Sequence, residues 1–294
     1  MSLTRELIAA LRRQLGSESP LPPPPAAPEL IEVSRTGNRE FAAEAARYTT
    51  ALLGIGSVGS RYATALSLQF QSELAVAHGA VASVLPENWP ENKKLLMLSS
   101  RVNNHKEYLL RPDLGRRLSP ESLDLLAREA EKNKDVQIIL ADGLSALACQ
   151  HSGLTVVEHL VRECHSQGLS TGTLVGARFA RVWLEDEIGQ TTQARVAVII
   201  LGERPGLGTG DGLSAYMVYD PRVGKTDADR NMISNIHERG MAPPDAARRL
   251  AFLARAMVDQ KTSGVGLKLP GNRQEAGFGY REGLKRVRLV EVET

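Results

Sequence analysis

The residues best placed to do chemistry follow one apolar run. Val196, Val198, Ile199, Ile200 and Leu201 are apolar and largely β-branched, the composition of a strand covered on both faces, as in a parallel sheet flanked by helices. The run stops in Glu203-Arg204-Pro205-Gly206-Leu207-Gly208. Pro205 biases Arg204 toward an extended conformation, and the glycines permit torsions and close approaches that a Cβ would block. An acid and a base on glycine-rich backbone at the carboxyl end of a strand can hold a cofactor in an open α/β sheet. The same composition also suits a tight strand exit that binds nothing.

A second candidate is Gly54-Ile55-Gly56-Ser57-Val58-Gly59. It matches G-x-G-x-x-G, whose glycines let a dinucleotide pyrophosphate approach a helix N-terminus. That pattern requires a preceding strand and, about twenty residues on, an acid at the end of a second strand. Here Ala63 to Val84 reads as helix, with Leu66, Phe70, Leu74 and Ala77 at helical spacing and Glu73 inside it. His151, His159 and His165 fall close together, but their spacing fits no standard zinc site, so they and His78 read as solvated or structural. Cys149 and Cys164 lack metal-ligand spacing and are too few for a disulfide framework; each reads as a buried, inert thiol in a reducing setting.

The elements that must position these residues follow from pattern. Leu3, Leu7, Ile8, Leu11 and Leu15 make one apolar helical stripe over residues 1–16. The proline-dense segment 17–36 is an extended spacer that tethers this helix. Residues 37–118 read as mainly helical, beginning with a helix over Asn38 to Tyr48, and with Leu95 to Arg101 as a possible strand. Ser119-Pro120-Glu121 carries an N-cap, an N1 proline and a first-turn acid, and from there to residue 264 the chain alternates strands and helices. Val136 to Ala141 is a buried strand with Asp142-Gly143-Leu144-Ser145 as its exit, and Thr155 to Glu158 reads as a capping box. FARVWL (Phe179 to Leu184) reads as a third strand, Glu185 to Gly189 as a hairpin-like turn, and Ser214 to Tyr219 as a strand. DRNMISNIHERG (Asp229 to Gly240) reads as a loop or short helix, and Pro243 starts a helix with Leu250, Leu253, Ala254, Met257 and Val258 inward. Residues 265–294 read as a tail, partly disordered.

Composition excludes other classes. With 36 Lys and Arg against 34 Asp and Glu in 294 residues, the net charge is +2. No polybasic surface announces nucleic acid. No apolar run reaches membrane-spanning length, and the N-terminus lacks a signal-peptide core. A soluble intracellular protein is expected.

Several stretches together resemble one family, the small subunit of ethanolamine ammonia-lyase. They are RPDLGRRL (Arg111 to Leu118), DVQIILADGLS (Asp135 to Ser145), ARVWLEDEIG (Ala180 to Gly189), VAVIILGERPGLG (Val196 to Gly208), Leu213 to Arg222, and Ile233 to Pro244. The resemblance runs from about Arg47 to Gly264 and makes the glycine triplet at Gly54 a family loop. It implies an α/β fold with a Rossmann-like sheet flanked by helices, an N-terminal helical region and a tethered amphipathic helix. It implies a partner, a large barrel subunit that holds the substrate pocket, with adenosylcobalamin in the interface between the two. This chain then carries no catalytic acid or base and no metal ligand.

Carried over position by position, the family's cobalamin contacts fall on Val182, Glu203 and Met232, the last a departure from the cysteine of some relatives. Asn235-Ile236-His237-Glu238-Arg239-Gly240 approaches the D-x-H-x-x-G pattern of proteins whose histidine replaces the cofactor's lower base. Asn235 stands where the orienting aspartate would be, so His237 reads as structural or as polar lining. The resemblance also associates the N-terminal extension with packaging into a bacterial microcompartment. Two further readings stay open: a nicotinamide dehydrogenase built on Gly54, Gly56 and Gly59, and a non-catalytic microcompartment scaffold.

Overall fold

The computed structural model describes residue 44 and residues 57–89, 95–206, 210–238 and 240–269. The amphipathic helix and proline spacer, Gly54 and Gly56, Leu207 and Gly208, Arg239 and the tail from 270 lie outside the described residues. So does the helix expected at Asn38 to Tyr48, apart from Glu44.

A two-residue hairpin, β1 (Ser57–Val58) and β2 (Arg61–Tyr62), leads into helix α1 (Thr64–Ala82). Gly59, at φ +65°, makes the hairpin turn. A six-stranded sheet follows, in the order β3 (Leu96–Ser99), β5 (Val175–Arg178), β4 (Val136–Ala141), β6 (Val196–Gly202), β7 (Leu213–Tyr219), β8 (Arg230–Ile236). The first four are parallel, and β7 and β8 run antiparallel. The sheet therefore begins before residue 118, inside the region expected to be mainly helical.

The helices are α2 (His105–Leu110), α3 (Pro120–Glu129), α4 (Ala146–Ala148), α5 (Leu154–Ser166), α6 (Leu184–Thr192) and α7 (Pro243–Gln260). The side chain of Ser119 caps α3, accepting from Ser122 N. The expected capping box at Thr155 is corrected: Ser145 caps α4, and the chain passes through a π-turn (Cys149–Gly153) straight into α5.

Strand alternation sorts the core into two layers. Val136, Ile138, Leu140, Val196, Val198, Ile200, Ala215 and Met217 face α5 and α7, where Leu160, Leu250, Ala254 and Met257 meet them. Ile139, Ala141, Ile199 and Leu201 face the other way, against Leu126 of α3 and Leu184 and Ile188 of α6. β4 and β6 are buried along their whole length, as expected of strands with helices on both sides. Beyond α7, Gln260 Nε2 donates to Lys268 O (2.7 Å) and Gln260 Oε1 accepts from Lys268 N (3.0 Å), so the chain up to residue 269 folds back along the helix.

Candidate functional site

The carboxyl ends of β4 and β6 lie side by side where the connections diverge: the chain after β4 travels to β5 on one side, and β6 leads to β7 on the other. Such a divergence is where open α/β sheets take ligands. Two glycines bring the exits together. A Cβ on Gly143 (φ +57°) would lie 2.7 Å from Gly202 N and collide with Gly202 O, and one on Gly202 would lie 2.8 Å from Asp142 O and collide with Ser145 O. Leu144 N donates to Gly202 O (2.9 Å).

Asp142 ties β4 to the turn after β5. Its buried carboxylate accepts from Phe179 N (2.6 Å) and Ala180 N (3.1 Å), and burial pushes its pKa up to about 6 against the pull of those amides. Phe179 is thereby held at φ +54°, a conformation that costs a non-glycine residue about 1 kcal/mol. Ser100 Oγ donates to Phe179 O (2.8 Å), Tyr108 OH to Ala180 O (2.9 Å) and Arg181 N to Gly115 O (2.8 Å). Ser100, Tyr108 and Gly115 thus clamp this turn. The strand expected at FARVWL is corrected to this turn, and the hairpin expected at Glu185 to Gly189 is helix α6. Val182 therefore rides on the turn just ahead of α6, half-buried against the same cluster as Ile199.

Glu203 follows β6 directly. Its Oε1 accepts from the hydroxyl of Ser214 and from Asn235 N (3.3 Å). Met232 lies on β8, where a loop or short helix had been expected; that expectation is corrected to a strand. Met232 is 50% exposed and pairs across the ladder with Tyr216, which pairs in turn with Ile199. Cross-strand partners share a face. Ser214 pairs with Leu201, so Ser214 and Tyr216 stand on the α6 side of the sheet, with Leu201 and Ile199. The structure brings Val182, Glu203 and Met232 to that one side, around Tyr216.

On the same side of the sheet, two residues along β8 from Met232, lies a buried ionic cluster. Arg230 Nη1 donates to Glu185 Oε1 (2.5 Å) and Asp186 Oδ1 (3.0 Å), and Nη2 donates to Asp186 Oδ2 (2.6 Å). The three side chains are at most 3% exposed. Burial pushes Glu185 up to about 8, with Asp186 adding to the rise and Arg230 opposing it. The Arg230 guanidinium also lies 5.8 Å from the Trp183 ring, and Arg116 stacks at 4.4 Å from it.

The other cysteines and histidines have the following surroundings. Cys149 and Cys164 are both buried, with burial raising the Cys164 thiol to about 12. His165 Nε2 meets Thr171 Oγ1 (3.0 Å) and His159 Nδ1 meets Arg162 Nη2 (3.1 Å). His237 is buried, and its Nε2 lies 2.6 Å from Asn235 Oδ1. Asn235 therefore does hold the ring, as a neutral partner in place of the aspartate. Among the described residues no helix is long and apolar enough to cross a membrane.

Residues 39–268 match the family model of the ethanolamine ammonia-lyase light chain (EutC). The chain belongs to that family. It is accordingly a subunit of a lyase acting on ethanolamine, and a light chain implies a heavy-chain partner. In this light chain the match spans the whole sheet and both strand exits, together with the buried Arg230 cluster. Sequence pattern singles out neither Tyr216 nor Ser214, which read only as strand residues. The available signal was their i, i+2 spacing, which puts two polar-tipped side chains on one face of a strand beside Glu203.

Proposed function

We propose that this light chain holds adenosylcobalamin against its heavy chain, on the face carrying Val182, Glu203 and Met232. The observation that carries the reading is the convergence of these three residues, distant in sequence, on one side of the sheet, from the middle of β6 to its carboxyl end. A corrin is broad and apolar, with amide-bearing edges. Met232, Val182 and the ring of Tyr216 offer it apolar surface, and Glu203 offers an acceptor for its amides. With Oε1 of Glu203 engaged by Ser214 and Asn235, Oε2 is left to accept from a ligand. Methionine at position 232 suits such contact because its thioether is polarizable and adaptable.

When bound, the cofactor supplies radical chemistry by cobalt–carbon homolysis, through which ethanolamine becomes acetaldehyde and ammonia. The light chain's own part is to bind and orient: the turn pinned by Asp142 sets Val182, and β7 sets Glu203. His237, buried on Asn235, holds the end of β8 and is not a ligand. The heavy chain supplies the opposite wall of the cleft and the substrate pocket.

Co-expression with a heavy chain tests this. The purified complex should show a corrinoid absorption spectrum after loading and should release acetaldehyde from ethanolamine. A complex that binds NADH tightly and no corrinoid would return the dehydrogenase reading.

The amphipathic stripe of residues 1–16 and its proline spacer suit docking to a microcompartment shell. Deleting residues 1–28 should leave lyase activity of the complex intact and abolish its association with shells. Unchanged encapsulation counts against that role.

A further inference from the structure

We propose that Tyr216 is a further binding residue: its ring forms the floor of the face, and the flat apolar body of the ligand lies on it, between Glu203 at one edge and Met232 at the other. This rests on the reading of that face as a corrinoid platform, and deepens it.

Tyr216 is on β7, between the strand that leads into Glu203 and the strand that carries Met232, and it is the ladder partner of Met232 itself. A ligand touching both flanking strands must pass over the strand between them. Among the described residues no helix packs over β7 or β8 on that side. Helix α6 packs over β4 and β6, whereas on β7 Tyr216 remains half-buried and on β8 Met232 is half exposed. Tyr216 packs one side against the core cluster of Ile199 and leaves the rest of its surface exposed beside Met232, where an amphipathic ring can take a ligand.

The hydroxyl is already provided for. It lies against Ser214, and both burial and the nearby Glu203 charge hold the phenol neutral. Because Ser214 is two residues earlier on the same face, the side chain leans along the strand toward the carboxyl end of β6. Ser214 in turn donates to Glu203. One short stretch of β7 thus sets both the apolar floor and the orientation of the carboxylate at its edge.

The test uses the heavy–light complex, with hydroxocobalamin as the probe and its Kd read by absorption. Tyr216→Ala should raise Kd about 30-fold, the scale of losing a central aromatic contact. Tyr216→Phe, which keeps the ring, should recover most of that loss. Tyr216→Leu fills the strand position without a flat ring and should stay about tenfold weak, which keeps the test decisive if the alanine variant fails to fold. Glu203→Ala and Met232→Ala serve as references. If they weaken binding while Tyr216→Ala and Tyr216→Leu do not, Tyr216 is not a contact and the proposal is overturned. If all of these variants bind like the parent, the face itself is wrong, and the reading of its function fails with the proposal.

Discussion

Replacing Arg230 with methionine should cost the fold about 3–5 kcal/mol at pH 8.5 or so, and markedly less near pH 5. The guanidinium is the shared partner of two buried carboxylates. Removing it strands both in a place where water cannot solvate them. The pH dependence follows from the direction of the shift. Burial raises Glu185 to about 8 from an ordinary 4.5, so the folded chain keeps a proton that the unfolded chain releases between those values. The stability linked to this group is full below pH 4.5 and is lost as pH rises through 8.

Without Arg230 both carboxyls move further up, and the deficit of the variant widens with pH. Urea midpoints at acid, neutral and alkaline pH measure this directly. A deficit that stays constant from pH 5 to 8.5 would mean that the carboxylates escape to solvent in the variant. Binding should suffer too. Arg230 is two residues from Met232, and Glu185 is three residues from Val182, so the cluster fastens the start of α6 to β8 and sets the spacing across Tyr216.

The same cluster explains why part of the site was hard to read from sequence. Strands β4 and β6 are legible because both faces are buried and nearly every residue is apolar, Gln137 of β4 being the exception. The N-cap of α3 is legible because its signal is local. Glu185 to Gly189 was expected as a turn because consecutive acids usually mark solvent. Here their partner is Arg230, 45 residues later. Residues 230–236 were likewise too polar to read as a strand. Arg230 spends its charge on α6, and Asn231 Oδ1 accepts from Gly264 N (2.6 Å).

The misplacement of β5 has a different cause. Phe179 to Leu184 carries the bulky residues, but the strand is Val175–Arg178, whose Gly176 leaves room for the Met97 side chain on β3. Close packing between strands selects small residues and erases the signature of a strand. The capping box at Thr155 failed because Gly153 does not end a helix there; its missing Cβ admits the Leu140 side chain, and the chain stays helical through the π-turn. The carry-over of Val182, Glu203 and Met232 does not depend on those readings, because it rests on position in a family motif. Only the ladder register reveals that Tyr216 joins them.

Gly202→Ala should be among the most damaging single-methyl changes in the chain, costing about 3 kcal/mol or more. The added Cβ would meet the backbone oxygens of Ser145 and Asp142, and backbone cannot rotate aside as a side chain can. Both oxygens belong to the exit loop of β4, so relief requires parting β4 from β6 at their carboxyl ends. That movement would carry Glu203 away from Ser214. Corrinoid binding by the complex should therefore fall further than the loss of stability alone accounts for.

Gly168→Ala is the informative comparison. Gly168 also has a positive φ (+71°), yet nothing lies within 4 Å of its would-be Cβ, so alanine there meets only the backbone cost of about 1 kcal/mol. Urea unfolding of the two variants separates torsional strain from collision. If Gly202→Ala costs no more than Gly168→Ala, the two strand exits are free to part. Glu203 would then owe its position to Ser214 and Asn235 alone.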